Sequence, residues 1–204
     1  MPDPRHHDEH RTGLGFLTVG QVDALADRGV RVLDPFSALI SASAEIGPGT
    51  VVYPNVVVQC DPVSTLLVGS RNLLYPGTFL LADSGGQLLI GNDCELGPGG
   101  VQVKANRADA HIRLGDGGRL LNGCELTGRS ELGDGCQIIG PIQAQSVRLA
   151  GGLGGYAWPD PDGRGALLKG AGLARDISLA RGEVMNGQGS FASSPVERQA
   201  SYHR

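Results

Sequence analysis

The side chains able to do chemistry are few in this chain. One histidine, His111, stands inside its regular portion, in a run with Asn106, Arg107, Asp109 and Arg113. An imidazole gains or loses a proton near neutrality, so this run is a candidate general base with Asn106 and Arg107 as polar contacts for a bound molecule. The bland alternative is a solvated loop histidine. Glu95 and Asp116 are weaker candidates for the same role. His6, His7 and His10 fall in a polar stretch at the start, where adventitious metal binding competes with no role at all. The four cysteines, Cys60, Cys94, Cys124 and Cys136, contain no C-x-x-C pair, so spacing indicates neither a zinc nor a redox site. Glycine runs at residues 97–100 and 151–155 lack the lysine of a phosphate loop and read as corners.

The element that must position these groups is a repeat. Five segments align without gaps, beginning at Ile46, Val68, Ile90, Leu114 and Leu132, each an aliphatic residue followed by glycine. An aliphatic then recurs every six residues, as in Val68, Leu74 and Leu80; only Gln102 and Ala144 break the series. Four residues after the aliphatics the side chain is compact, as at Thr50, Thr78, Cys94, Cys124, Ser130 and Cys136, which makes three of the cysteines core fillers rather than nucleophiles. The pattern predicts coils of three short strands joined by tight corners, stacked so that the aliphatics form one dry core. The repeat starts are 22, 22, 24 and 18 residues apart, and the surplus falls at one corner, before Val68, Ile90 and Leu114. Strand alternation turns Leu66, Leu88 and Ile112 inward and Leu67, Leu89, His111 and Arg113 outward, an edge expected to meet another subunit.

Composition agrees. The chain has 204 residues with 33 glycines, 12 prolines, 4% aromatics and a formal charge of -4, which excludes long helices and a polybasic nucleic-acid binder. No 18-residue apolar run exists and the N-terminus is polar, so no membrane span or signal peptide is expected and a cytoplasmic location follows by default. The expected organisation is a polar N-terminal tail over 1–17, a lead-in helix and linker over 18–33, β-helix over 34–150, and a loop, terminal strands and disordered tail over 151–204. Thr18 and Gln21 have capping-box form and Gly29 is a plausible helix stop.

The hexads resemble those of the hexapeptide-repeat acyltransferases. Residues 29–58, from Gly-Val-Arg-Val-Leu-Asp-Pro into the first coil, are similar to the start of the acetyltransferase half of the bifunctional glucosamine-1-phosphate acetyltransferase and N-acetylglucosamine-1-phosphate uridyltransferase. The resemblance implies an all-β, single-stranded left-handed parallel β-helix, a homotrimer, and CoA-dependent transfer of an acyl group, from acetyl-CoA or another acyl-CoA, to an amino sugar, sugar phosphate or nucleotide sugar, without a metal. It assigns Lys104 to the substrate's anionic group, Asn122 to a substrate contact and Gln137 to a position near a family asparagine. The family's catalytic histidine and substrate-binding tyrosine fall on Gly123 and Leu126, so both are lost. An amine attacking a thioester must shed a proton, and His111 is the candidate replacement if a neighbouring subunit walls the cleft. Lys169 and Arg175, with Arg181, are candidates for the phosphates of coenzyme A or simply a solvated basic edge. The alternative function is a non-catalytic β-helix that binds a sugar nucleotide or a partner protein. A zinc enzyme of the same fold needs three histidines, which one repeat histidine does not supply.

Overall fold

The computed structural model describes residues 4–203. The repeats form a parallel β-helix with three faces, as the hexads predict. The first face stacks Arg31–Val32, Val51–Val52, Leu73–Leu74, Glu95–Leu96, Arg119–Leu121 and Gln137–Ile139. The second stacks Leu39–Ile40, Val57–Cys60, Thr78–Ala82, Val101–Ala105, Glu125–Thr127 and Ile142–Gln145. The third is a separate seven-stranded sheet: Glu45–Ile46, Thr65–Val68, Gln87–Ile90, His111–Leu114, Arg129–Leu132, Arg148–Leu149 and Ser178–Leu179. Within these faces every pairing between successive coils is parallel, so each strand's backbone groups are satisfied along the axis.

Register places one aliphatic per coil on each inner wall. Val52, Leu74, Leu96, Leu120, Ile138 and Leu168 align up the first face, and Ile46, Val68, Ile90, Leu114, Leu132, Leu149 and Leu179 up the third. All of them are buried. On the second face the column is Ile40, Val58, Leu80, Val103, Leu126, Ala144 and Ala174. Gln102 therefore does not take the inward place the hexad count gives it. The Gly97–Gly100 corner carries one extra residue, which moves the inward position to Val103 and turns Gln102 out. Ala144 is buried and continues the series with a smaller side chain.

The glycine after each of Ile46, Val68, Ile90, Leu114 and Leu132 is required by closeness rather than by dihedral angle. A Cβ on Gly69 would stand 2.5 Å from the Gly91 carbonyl oxygen of the next coil. The left-handed residues come two positions later, at Gly49, Arg71, Asp93, Gly117 and Gly135. Between them, side-chain oxygens stitch neighbouring coils: Asn92 Oδ1 accepts from the Ser70 amide at 2.8 Å, Asp116 Oδ1 from Asn92 at 2.7 Å, and Asp134 Oδ1 from Asp116 at 2.9 Å. The compact hexad position makes a second, buried column. Asn72 Oδ1 accepts from the Cys94 amide at 2.7 Å, and the Cys94 thiol donates to the Gly115 carbonyl at 3.2 Å.

Both ends differ from expectation. Part of the expected polar tail is helical: Pro4–Gly13 forms an α-helix held by Arg11, whose guanidinium donates to the carbonyls of Phe36 at 2.6 Å and Pro35 at 3.2 Å. The side chains of His6 and His7 lie outside the described residues. Val19–Asp23 follows with the Thr18–Gln21 capping box formed, then a 3-10 turn, Ala24–Arg28, that stops at Gly29. Val22, Leu25 and Val30 seal the lower end of the core.

The coils continue past residue 150. Residues 150–166 leave the solenoid as an excursion over the first face, and Leu167–Arg175 then runs along the first and second faces as one strand, followed by Glu183–Ser190. The expected disordered tail is ordered as a cap: Val196–Arg198 pairs antiparallel with Glu183–Ser190, and the buried Gln199 donates to the Gly165 carbonyl at 2.7 Å. Among the described residues, no helix is long and apolar enough to cross a membrane.

Candidate functional site

The outward side of the third face carries the candidate site. Alternation along its strands buries Leu66, Leu88 and Ile112 and turns their neighbours outward, as the sequence predicts, with Thr65 and Leu89 half-buried. Two outward rows result. One aligns Thr65, Gln87, His111 and Arg129; the other aligns Glu45, Leu67, Leu89, Arg113, Glu131, Arg148 and Ser178. Over the middle coils these rows enclose a hollow of about 480 Å³, lined by Gln87, Leu89, His111, Arg113, Arg129, Glu131 and Arg148, with Ile112 and Ser130 in its floor.

The site's electrostatics follow from its pairing. The ion pairs among the described residues are Arg71–Asp93, Lys104–Glu125, Arg107–Asp109, Arg119–Glu95 and Arg198–Asp162; none involves Arg113, Arg129 or Arg148. Arg129 is nevertheless steered, because its Nε donates to the Asp109 carbonyl at 3.0 Å. One carboxylate, Glu131, faces three guanidiniums, so the hollow is a net positive concavity with an imidazole beside it. The chemistry available is anion binding and proton transfer.

The structure gathers only part of the predicted site. His111 lies in the hollow; Asn106 and Arg107 sit on the exposed corner that leads into its strand, with Arg107 Nε 3.3 Å from Asp109. Lys104 lies on the second face of the same coil, its ammonium ion-paired with Glu125 and donating to Gln102 Oε1 at 3.2 Å. Asn122 is a left-handed corner residue between the first and second faces. Gln137 is buried on the first face, where its Oε1 accepts from Arg119 at 3.1 Å and the Tyr156 ring covers that guanidinium at 3.9 Å. It is thus engaged inside the protein and does not present itself to a ligand. Lys169 and Arg175 stand on the first and second faces of the last coils, Arg175 held by Gln145 Oε1 at 2.9 Å.

The two positions that the resemblance aligns with a histidine and a tyrosine, Gly123 and Leu126, are both structural in this chain. Gly123 is a positive-φ corner in a cleft of about 270 Å³ whose lining combines Gly77, Gly99 and Gly100 with the polar Gln102, Glu125 and Gln143. Leu126 is fully buried in the second-face core column, so its side chain reaches no solvent. The thiols of Cys94, Cys124 and Cys136 are pushed up to about 12 by burial, which fits the core role read from their hexad position and not a nucleophile. No cluster of three or more metal-ligating side chains occurs among the described residues.

Arg129, Arg148 and Glu131 were not singled out by sequence reasoning. A signal existed: the fourth and fifth third-face strands lie 18 residues apart, and adding 18 to His111 and Arg113 gives Arg129 and Glu131.

No family model matches the chain, and no curated protein matches it significantly. Several solved structures are similar to it. LpxA from Acinetobacter baumannii shares 14% identity at a TM-score of 0.42, over 85% of this chain and 74% of that one. PerB from Caulobacter crescentus, solved with CoA and GDP-perosamine, shares 18% at 0.29, over 94% and 66%. The UDP-N-acetylglucosamine acyltransferase of Francisella novicida shares 16% at 0.28, over 85% and 70%. The class defined by the chain's own fold and site is a hexapeptide-repeat parallel β-helix with an arginine-lined hollow on one face. Likenesses this distant assign no residue a role.

Proposed function

We propose that the protein is a CoA-dependent acyltransferase that acts on the amine of an amino sugar, sugar phosphate or nucleotide sugar, with the third face as its active surface. The observation that carries this is His111, the one histidine of the coils, set outward in a hollow beside three arginines free of carboxylate partners. In the reaction the amine nitrogen bonds to the thioester carbonyl carbon and the C–S bond breaks. His111 takes the amine proton and returns it to the departing thiolate, a role that contributes about a hundred- to ten-thousand-fold. The exposed Leu67 and half-buried Leu89 continue the same outward row and make the seam of a homotrimer, whose neighbouring subunit closes the open side of the hollow. In that assembly, groups on other faces and corners, Lys104, Asn106, Arg107 and Asn122 for the acceptor and Lys169 and Arg175 for CoA, come from more than one copy.

A second reading is favoured by a specific observation: Gly123 and Leu126 leave the family's own base and tyrosine without equivalents. On that reading the chain binds a sugar nucleotide or a partner protein without turning anything over. Titration with acetyl-CoA and with UDP-N-acetylglucosamine, followed by acceptor screening with His111→Ala as control, separates the two. CoA binding with histidine-dependent transfer supports the enzyme; sugar-nucleotide binding alone supports the binding protein.

A further inference from the structure

The arginines of the third face form a series that no role yet given to the molecule explains. Arg113, Arg129 and Arg148 come from three successive coils, and Arg181 follows on the next, lining an adjoining hollow of about 440 Å³ that shares Arg113 and Glu131 with the first. Arg113 and Arg148 stand two coils apart in one outward row, about 10 Å at the spacing of parallel strands, and Arg129 stands in the neighbouring row on the coil between them, so three guanidiniums reach the hollow from three coils and suit an anion with more than one charged group. None of the four has a carboxylate within ion-pair distance among the described residues. Two are oriented by backbone carbonyls: Arg129 by Asp109, and Arg181 by Gly151 at 3.2 Å. Side chains steered in this way lose less freedom when a ligand arrives.

We infer that Arg113, Arg129 and Arg148 form a binding site for a diphosphate, the pyrophosphoryl group of a nucleotide-type ligand, with His111 at its edge. Guanidiniums match phosphate oxygens in paired, planar hydrogen bonds, and three of them neutralise the charge of a diphosphate. The hollow's volume is within the usual range of small-molecule sites, about 300–1,000 Å³. Glu131 lies in register between Arg113 and Arg148. Its carboxylate opposes an anion there, so it sets a ceiling on affinity for bare phosphate. Asp134, in the adjoining hollow, is turned to the Asp116 amide and keeps that side less positive. The diphosphate could belong to CoA or to a nucleoside-diphosphate sugar. The inference rests on the third face being the active surface, and not on acyl transfer taking place.

The test is isothermal titration of the full chain with inorganic pyrophosphate, then with acetyl-CoA and with UDP-N-acetylglucosamine. Pyrophosphate is expected to bind saturably, to lose about tenfold or more in affinity in Arg113→Gln/Arg148→Gln, and to gain roughly two- to threefold in Glu131→Gln. Arg31→Gln, the same neutralisation at a single exposed first-face arginine away from the hollow, is expected to change nothing, and far-ultraviolet circular dichroism checks that each variant keeps its coils. Whichever larger ligand weakens in parallel owns the diphosphate. Absence of pyrophosphate binding, or a double variant that binds like the parent, overturns the site. If CoA binds and is consumed equally by parent and double variant, acyl transfer stands and the diphosphate site falls. If pyrophosphate and the sugar nucleotide bind through the arginines while CoA does not, the site stands and acyl transfer falls.

Discussion

The lower and upper halves of the third face share one scaffold and present opposite surfaces. Below, the outward row reads Glu45, Leu67 and Leu89; above, it reads Arg113, Glu131 and Arg148, with His111 and Arg129 alongside. Their inward rows are interchangeable, Leu66 and Leu88 below and Ile112 above, all buried. Even the corners entering the two halves differ. The lower one is pinned by Asp61, whose carboxylate accepts from the Val63 and Ser84 amides, while the upper one carries the exposed Arg107–Asp109 pair. On a solenoid the inner residues specify the coil, and the outer ones are left to choose between association and ligand binding.

The sharpest way to break this comparison is to charge the lower half. The parent is expected to sediment as a trimer and Leu67→Glu/Leu89→Glu as smaller species; a trimeric double variant means that the leucines are not the seam. Next comes the upper half, where His111→Ala is expected to lower turnover about a hundred- to ten-thousand-fold with melting unchanged; unaltered turnover removes the base assignment. The division between inner and outer rows is sharpened by adjacent residues of one strand. Leu88→Ala empties part of the core and is expected to cost about 2–5 kcal/mol in denaturant unfolding, whereas Gln87→Ala, one position along and facing out, is expected to stay within about 0.5 kcal/mol. The smallest effect concerns the lower corner. The Asp61 carboxyl is held down at about 2, first by the Ser64 hydroxyl and also by the backbone amides of Ser84 and Val63. A depressed folded-state value gives stability that is present above the ordinary carboxylate range and lost as pH falls toward 2. Asp61→Asn is therefore expected to flatten the decline in melting temperature between about pH 4 and pH 2, and an unchanged acid profile contradicts it.

The coils were legible because each one repeats the same physical demand. An aliphatic must meet its equivalent above and below, and a glycine must stand where the next coil leaves no room for a Cβ, as at Gly69. Both demands leave marks at fixed spacing. The last coils leave none, because Leu167–Arg175 rounds its corner as a continuous strand through Gly170 and Gly172 instead of a hexad turn. The terminal caps were missed for a related reason. Arg11 and Gln199 are polar residues that read as surface in sequence, yet each is buried and hydrogen-bonds to backbone carbonyls at an end of the solenoid. At the site, His111 was visible as the odd residue in the repeat. Its arginine neighbours were not, since they come from later coils and only the observed register brings them together.

The account stands most directly on whether the third face serves a CoA-dependent reaction. Isothermal titration of the full chain with acetyl-CoA tests it. Saturable binding is expected; a flat titration at concentrations that saturate UDP-N-acetylglucosamine would contradict it and leave a binding protein built on a hexapeptide-repeat β-helix.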